Sequence, residues 1–230
     1  MTLSIIIPVL NEVRLIEACL GRLSDVRARG TEIIVVDGGS QDGTAAIAES
    51  FADRVLPAPR GRASQMNAGA NVAKGDILVF LHADTTLPQD TDVLIEKAFA
   101  HSDRIWGRFD TRIVPATPSL FVVAWLMNLR SRLSGIATGD QAIFVRKSAF
   151  MRVGGYPEIP LMEDIALSKK LKRISKPICL RAKVSTSARR WQKYGVTRTI
   201  LLMWWLRLAY YLGADPKALA RQYDYVPRPR

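Results

Sequence analysis

Short apolar runs alternate with amphipathic segments along the first hundred residues. Buried strands are predicted from β-branched apolar runs at residues 3–9, 32–36 and 76–81, with a shorter one at 54–56. Helices are predicted between them, from residue 12 to residue 20 or 23 and at about 44–52, 62–72 and 88–100. This alternation predicts an α/β fold with a doubly wound, mostly parallel central sheet.

The second half of the chain is less regular. Strands are predicted at residues 106–113 and 142–146, and helices at residues 120–133 and 161–172. No linker composition separates the two halves. We therefore expect one continuous domain that is followed by a C-terminal extension.

The second predicted strand ends abruptly in a carboxylate, Asp37, which two glycines and Ser40 follow directly. Ligands of open α/β sheets bind beyond the carboxyl ends of the strands. A buried carboxylate there needs hydrogen-bond donors, and a nucleotide base or ribose supplies them. Either Asp42 or Ser40 is expected to cap the helix that begins at Thr44.

Charge is unevenly distributed in this chain, whose formal net charge is +12. Residues 1–164 carry 17 basic and 19 acidic side chains, whereas residues 165–230 carry 16 basic and two acidic ones. The basic end includes an apolar, Trp- and Tyr-rich segment at residues 200–212, which is too short and too interrupted by Arg207 to span a bilayer. It suits either a membrane interface or a C-terminal helix with its aromatic residues in the core. No nucleic-acid motif accompanies the charge, so we expect no nucleic-acid partner.

The two cysteines, Cys19 and Cys179, each lie in an apolar pattern and are far apart in the sequence. A disulfide framework is therefore not expected, and a reducing cytoplasm fits this usage. The chain enters its first predicted strand almost directly, without the features of a signal peptide. We therefore expect a cytoplasmic protein, at the inner face of the membrane if the basic end binds lipid.

Polar motifs follow the predicted strands in a fixed order. They are Pro8-Val9-Leu10-Asn11-Glu12, Asp37-Gly38-Gly39-Ser40-Gln41-Asp42-Gly43-Thr44, Arg62 with Asn67-Ala68-Gly69, Leu81-His82-Ala83-Asp84, Gly139-Asp140-Gln141, Met162-Glu163-Asp164 and Arg189-Arg190-Trp191. This ordered set resembles family 2 glycosyltransferases, which have the Rossmann-like type A nucleotide-sugar fold. The compact length and the late Arg-Arg-Trp are most similar to the short bacterial subgroup called transferase 2, rSAM/selenodomain-associated.

The resemblance covers about residues 3–195 and implies a glycosyltransferase domain over residues 1–195. Its nucleotide-binding half would be about residues 1–100 and its acceptor half about residues 101–195, with an amphipathic basic extension at residues 196–230. The implied reaction moves a sugar from a nucleotide-diphosphate donor, a UDP-sugar, to an acceptor hydroxyl with inversion. The basic, Trp-rich end favours a lipid-linked acceptor and contact with an anionic membrane surface.

The resemblance also implies which residues bind the donor. Asp37, with Gly39 in the same loop, resembles the carboxylate that accepts a hydrogen bond from uracil N3–H, and Arg62 resembles the basic residue that reaches the base or the diphosphate. The residues that resemble the loop around base and ribose are Pro8, Asn11 and Glu12. The structural alternatives are turn chemistry for Pro8, Asn11 and Asp37, an exposed helix acid for Glu12 and a solvated side chain for Arg62.

The segment His82-Ala83-Asp84 resembles the metal-binding motif of the family, with one departure. Asp84 matches the last carboxylate of the motif, which contacts Mg²⁺ or Mn²⁺ and the diphosphate. His82 stands where the family usually has an acid, so it is expected to contact the ribose or uracil side or to ligate Mn²⁺. The structural alternative for Asp84 is a turn or a helix N-cap before Pro88.

Asp164 resembles the general base of the family, and Glu163 would orient or tune it. By the same resemblance, Asp140 and Gln141 lie near the donor sugar or the acceptor. The late motif would bind the diphosphate through Arg189 and Arg190 and stack on the acceptor sugar through Trp191. The structural alternatives are two acids that favour a helix dipole and a basic surface around a core tryptophan.

Two other functions compete with sugar transfer. A nucleotide-binding or membrane-peripheral interaction module without turnover is favoured only by His82 in place of an acid. A nucleotidyltransferase would carry a Gly-rich loop with a basic residue after the first strand. This chain has Pro8-Val9-Leu10-Asn11-Glu12 at that position, which argues against a nucleotidyltransferase.

Overall fold

The structure, a computed structural model, describes residues 1–223, and its eight strands there form one sheet. The strands are β1 (Leu3–Val9), β2 (Glu32–Asp37), β3 (Arg54–Pro57), β4 (Ile77–Phe80), β5 (Thr85–Thr86), β6 (Trp106–Val114), β7 (Phe144–Arg146) and β8 (Ile178–Ser187). Their order in the sheet is β3-β2-β1-β4-β7-β6-β8-β5.

Eleven helices surround the sheet within the same residues. They are α1 (Val13–Gly21), α2 (Ser24–Ala28), α3 (Thr44–Glu49), α4 (Arg62–Val72), α5 (Thr91–Ala100), α6 (Pro118–Ser134), α7 (Lys147–Arg152), α8 (Glu163–Lys172), α9 (Arg189–Tyr194), α10 (Val196–Tyr211) and α11 (Pro216–Gln222). A short 3-10 turn at Gly139–Gln141 precedes β7.

The predicted α/β class and mostly parallel sheet are confirmed. Strands β3, β2, β1 and β4 are parallel neighbours, and β6 and β8 also pair in parallel. The antiparallel pairs are β4–β7, β6–β7 and β5–β8. Strands β1, β2 and β4 are mostly apolar and buried, as expected for strands covered on both faces, whereas the edge strand β3 is only partly buried.

Helices cover both faces of the sheet, and the period-2 pattern of β1 shows why. Ile5 and Ile7 belong to a core cluster that includes residues of α1 and α5. Ile6 points to the opposite face, where it joins residues of α4, α7 and α8. Both clusters are buried, so β1 is buried at every position rather than at alternate ones, and all its residues except Ser4 are apolar.

Several elements were absent from the sequence prediction. They are α2, β5, α7, β8, α9 and α11. Strand β8 alternates apolar residues with Arg181 and Lys183, a pattern that is weaker than a continuous apolar run. Strand β5 has two residues and exists because Thr85 and Thr86 pair with Thr186 and Ser185 of β8.

The predicted N-cap of the helix that begins at Thr44 was wrong. Gly43 occupies that position with a φ of +88°, and no side chain caps the helix. Asp42 instead accepts a hydrogen bond from the backbone of Thr44 through Oδ1 (3.0 Å) and from the backbone of Val13 through Oδ2 (3.1 Å). The carboxylate thus ties α3 to the start of α1, and α3 ends at Glu49 instead of residue 52.

The C-terminal helices pack on the sheet domain. In α10, Leu206 is buried in a cluster with Leu161, Met162 and Ile165 of the α8 region. Other α10 side chains are exposed, so the helix packs on the domain through one face, and the contact of this segment with a membrane interface stays a prediction. The domain division at residue 195 stays a prediction, and the part of it that covers residues 224–230 lies outside the described residues.

Close packing of α4 on β1 and β2 predicts the effect of adding one methyl group. A Cβ at Gly69 would lie 2.5 Å from Ile6 Cγ2 and 3.0 Å from Val36 Cγ2, whereas a Cβ at Gly21 of α1 would meet nothing within 4 Å. Glycine to alanine inside a helix normally stabilises by about 0.5–1 kcal/mol, but overpacking costs about 1–3 kcal/mol. Urea unfolding should therefore show a lower free energy of unfolding for Gly69→Ala and an unchanged or higher one for Gly21→Ala. Equal effects of the two substitutions would contradict this packing.

Candidate active site

A cleft of about 220 Å³ opens near the carboxyl ends of β1 and β4. Seven predicted site residues line it, namely Pro8, Glu12, Arg62, His82, Ala83, Asp84 and Arg189. They come from four segments that are distant in the sequence. The cleft lies at the edge where open α/β sheets bind ligands, as the sequence predicted.

Asp37 stands beside this cleft at the end of β2 and is buried. Its Oδ2 atom accepts hydrogen bonds from the backbone N–H groups of Gly39 (3.1 Å) and Ser40 (2.9 Å). The Ser40 hydroxyl donates to Oδ1. Gly39 has a φ of +93°, a conformation that glycine adopts without strain. The Asp37 carboxylate therefore stabilises the loop that follows β2. Its contact with a nucleotide base stays a prediction.

The loop after β1 is bound to the loop after β2. The Asn11 backbone N–H donates to Ser40 Oγ (2.9 Å), and Asn11 Oδ1 accepts from the Gln41 N–H (2.9 Å). Asn11 has a φ of +53°, which asparagine tolerates better than most residues. The Glu12 N–H donates to Thr44 Oγ1 (2.9 Å). These bonds hold Glu12 at the rim of the cleft.

Two polar residues that line the cleft, Gln65 and Arg60, were not predicted from the sequence. Gln65 is buried, and its Nε2 atom donates to the carbonyls of Val9 and Val36, both at 2.8 Å, where β1 and β2 end. Arg60 precedes Arg62 in a Pro-Arg-Gly-Arg stretch, and its Nε atom is buried without a hydrogen-bond partner among the described residues. In the sequence, only this basic stretch indicated that Arg60 could belong to the site, and no motif indicated Gln65.

A guanidinium lies between two carboxylates at one side of the cleft. Arg189 Nη2 is 3.6 Å from Glu12 Oε1 and 4.0 Å from Asp84 Oδ2. The β5–β8 pairing explains this contact, because Thr85 faces Thr186 and so brings the residue before β5 next to the residues that follow β8. Burial raises the pKa of Glu12, and Arg189 opposes this rise. The cluster joins the predicted metal ligand to a predicted diphosphate-binding residue.

His82 connects the cleft to a second, much smaller cavity. Gly139, Tyr156, Glu163 and Asp164 are among the residues that line this inner cavity with His82. A Cβ at Gly139 would lie only 2.5 Å from the His82 ring, so the turn needs glycine there. Burial and Arg62 lower the pKa of His82, whereas Asp84, Asp140 and Asp164 raise it. Burial and the nearby guanidinium thus favour the neutral imidazole.

Asp164 lies in the first turn of α8 and lines the inner cavity together with His82. Its Oδ2 atom accepts a hydrogen bond from the Gly139 N–H at 2.7 Å, and its Oδ1 atom accepts one from the Ile165 N–H at 2.7 Å. Glu163 is buried, and burial together with the neighbouring Asp164 charge raises its pKa to about 7. Buried Tyr156 also lines this cavity, and no motif pointed to it.

Besides Asn11, Asp37 and Gly39, four more predicted residues line neither cavity. The Asp140 carboxylate accepts a hydrogen bond from Thr138, and buried Gln141 closes a capping box with the same residue. Arg190 stacks on the Tyr223 ring, with its guanidinium carbon 3.6 Å from the ring centroid. Trp191 packs on an apolar cluster of β6 and α6, as in the structural alternative. The structure does not bring Arg190 or Trp191 to the cleft.

The residues around Asp84 fit a divalent cation that is shared with a ligand. Residues 1–223 contain no group of three or more His, Cys, Asp or Glu side chains that could hold a metal ion by themselves. Mg²⁺ typically binds one or two carboxylates together with waters and substrate phosphates. Asp84, with 29% of its side chain exposed in the cleft, supplies one carboxylate, and Glu12 lies near the same arginine.

The chain is similar in sequence to known glycosyltransferases. The sequence model of the family described as Glycosyl transferase family 2 matches residues 4–153. The chain belongs to this family. A PGL/p-HBAD biosynthesis glycosyltransferase of Mycobacterium tuberculosis (strain ATCC 25618 / H37Rv) is 32% identical over 164 residues. That match covers 66% of this chain and 62% of the relative.

Solved structures share the fold of this glycosyltransferase-family chain. Residues 1–349 of S. aureus TarS in complex with UDP superpose with a TM-score of 0.67 at 20% identity, over 81% of this chain and 60% of that one. The mannosyltransferase PcManGT of Pyrobaculum calidifontis, in complex with GDP-Man and Mn²⁺, gives a TM-score of 0.62 at 21% identity, over 80% and 56%. The family match ends before α8 and α9, so Asp164 and Arg189 are placed by the structure alone.

The raised pKa of Glu163 predicts how stability changes with pH. Its carboxyl group has an ordinary pKa of 4.5 when unfolded and about 7 when folded, so the folded state binds more protons between these values. The contribution of this group to the free energy of unfolding is therefore complete below pH 4.5 and decreases as the pH rises. Above pH 7 the free energy of unfolding is lower by about 3 kcal/mol. Urea unfolding should show that Glu163→Gln unfolds at higher urea than the wild type at about pH 8, with little difference at about pH 5. Exposed Glu17→Gln is the control, and an equal pH response in both variants would contradict this environment.

Proposed function

We propose that this chain transfers a sugar from a nucleotide-diphosphate donor to an acceptor hydroxyl, with inversion at the anomeric carbon. One observation carries the proposal. His82 lines both cavities, so the Asp84–Arg189 cluster and the Asp164 carboxylate lie on either side of one histidine. Arg189 and Asp84 could thus stabilise a leaving diphosphate on one side of His82, and Asp164 could remove a proton on the other side.

A UDP-sugar is the donor that we propose. Family membership supports a nucleotide-sugar donor, and the TarS structure was solved with UDP. Asp37, with Gly39, would accept a hydrogen bond from the base, and Pro8, Asn11 and Glu12 would surround base and ribose. The basic side chains at the cleft, Arg60, Arg62 and Arg189, would bind the diphosphate.

Mg²⁺ or Mn²⁺ would be held by Asp84 together with donor phosphate oxygens. When bound, the cation would neutralise the charge that develops on the leaving diphosphate. Arg189 lies 4.0 Å from the same carboxylate and supplies positive charge from the protein. His82 replaces an acid of the family motif, and its neutral imidazole would offer a hydrogen bond to the donor.

Asp164 would act as the general base. The acceptor oxygen forms a bond to the anomeric carbon, the bond from that carbon to the diphosphate oxygen breaks, and the acceptor proton passes to Asp164. The bond from the Gly139 N–H orients this carboxylate, and the pKa of neighbouring Glu163 near 7 keeps a second full charge from forming beside it below that pH. Attack from the face opposite the leaving group inverts the configuration.

The finer expectations from the sequence also stay proposals. A lipid-linked acceptor, contact of residues 199–212 with an anionic membrane surface and membership of the rSAM/selenodomain-associated subgroup belong to them. So do the predicted roles of Asp140 and Gln141 near the sugar and of Arg190 and Trp191 in the late motif.

Calorimetric titration with UDP, GDP and CDP tests the donor site, each with Mn²⁺, with Mg²⁺ and with EDTA. We expect UDP to bind most tightly, and to bind more weakly when the metal is chelated. Asp84→Asn should remove this metal dependence while Asp90→Asn, an exposed residue before α5, keeps it. No binding of any nucleotide would support the interaction module without turnover, and tighter binding of GDP or CDP would contradict a UDP-sugar donor.

Replacing the proposed base tests the reaction. Asp164→Asn preserves an oxygen that can accept from Gly139, but it cannot take up a proton, so nucleotide release from UDP-sugars should fall by about 100-fold to 10,000-fold. Binding of UDP should be unchanged, as should both properties in the matched variant Asp103→Asn at an exposed position. Full turnover by Asp164→Asn would remove this residue from the mechanism.

A further inference from the structure

Helix α6 is apolar on the face that it turns to solvent. Its exposed large apolar side chains are Phe121, Val122, Trp125, Leu126, Leu129 and Leu133, of which Leu133 is 79% exposed. The opposite face is buried through Leu120, Val123 and Ala124. Residues 120–127 of α6 are apolar all round, a pattern typical of a core or of contact with lipid, and half of these side chains are not in the core.

Helix α10 repeats this arrangement. Leu201, Trp204, Trp205, Leu208 and Tyr211 are exposed, at helical spacings that place them on one face. Thr199 and Leu206 are the buried residues of the opposite face. We call the exposed apolar residues of α6 and α10 together the α6–α10 surface.

The two helices contact each other and the candidate active site. Leu120 and Val123 of α6 share an apolar cluster with Val196 and Ile200 of α10. On its buried side, α6 reaches the Gly139–Gln141 turn, because Gln141 Nε2 donates to Asn128 Oδ1 at 3.4 Å. In the same way, Leu206 of α10 packs with residues that flank Asp164. The helices that carry the α6–α10 surface therefore pack, through their buried faces, against the turn and the helix of the proposed acceptor side.

The helices of this surface are basic. Helices α6, α9 and α10 contain seven basic residues and no acidic residue, although Arg189 lies in the cleft beside Glu12 and Arg132 pairs with Asp110. Between the helices, Arg130 has buried Nε and Nη2 atoms without a hydrogen-bond partner among the described residues. Burial and the nearby Arg207 lower the pKa of Arg130 to about 10. Such an arrangement attracts an anionic group, for example a phosphate.

We propose that the α6–α10 surface docks this protein onto an anionic lipid bilayer. Trp and Leu side chains beside arginines are the composition of helices that lie in a membrane interface. The charge selects a bilayer over a second copy of the chain, because two such basic surfaces would repel each other. No helix within residues 1–223 is long and apolar enough to cross a bilayer, so the contact is interfacial. This inference deepens the proposed function by naming the surface that carries the lipid contact, but the docking itself does not depend on turnover.

Sedimentation of the full chain with vesicles tests the docking without any nucleotide. Vesicles of equal parts phosphatidylcholine and phosphatidylglycerol should bind the protein, and vesicles of phosphatidylcholine alone should bind it much less. The double variant Trp125→Gln, Trp204→Gln should partition at least about tenfold more weakly, because binding scales with the apolar area inserted. Met151→Gln, which alters an exposed apolar residue of α7, is the matched control and should bind like the wild type.

A charge variant and two further measurements make the test decisive. Arg198→Gln at an exposed position of α10 should reduce the preference for anionic vesicles, as should added salt. Thermal unfolding and UDP titration of each variant show that the fold and the donor site are intact, which separates loss of docking from failure of the proposed function. The proposal is overturned if the wild-type protein does not bind anionic vesicles, or if the tryptophan variant binds them as well as the Met151 control. It is also overturned if light scattering shows a dimer of the wild-type protein that the tryptophan variant does not form.

Discussion

The hydrogen bond from the Gly139 N–H to the Asp164 carboxylate is the contact on which the candidate site depends. It joins the turn before β7 to the start of α8, and the absence of a side chain at Gly139 lets the His82 ring lie against the same turn. His82 in turn comes from the segment after β4. This hydrogen bond and the contact of His82 with Gly139 thus hold together three segments that are far apart in the sequence. A residue larger than glycine does not fit at position 139, where the three segments meet.

A second constraint comes from charge. The cleft holds three arginines and two carboxylates, and the inner cavity holds two more carboxylates, one of them buried. Positive charge therefore collects where a diphosphate would leave, and negative charge collects where a proton would be taken. Burial limits the charge at the inner cavity, since it raises the pKa of Glu163 to about 7 and lowers that of His82, and both shifts favour the neutral form.

The region that matches the family carries the donor side, and the region beyond it carries much of what distinguishes this chain. Residues 4–153 include the cleft loops after β1, β2 and β4. Helix α8, Arg189 and α10 all follow this region, and they contribute the proposed base, a cationic side chain in the cleft and an exposed apolar surface. Helix α6 lies within the family match, but its exposed face is completed by α10. The fold of the family is thus combined here with elements that lie beyond the matched residues.

The sequence by itself determined the α/β class, the parallel strands of the first half and the motif residues of the cleft. It could do so because buried strands are apolar runs and because polar residues directly after such strands are confined to one edge of the sheet. Only the tertiary structure decided which motif residues meet. Arg189 reaches Asp84 because β5 pairs with β8, a pairing between residues a hundred positions apart that no local pattern encodes. Arg190 and Trp191, the next two residues, turn away to Tyr223 and to the α6 cluster, because successive positions of a helix point in different directions. The two-faced nature of α6 and α10 was likewise hidden, since apolar residues all round a helix do not reveal which side the fold covers.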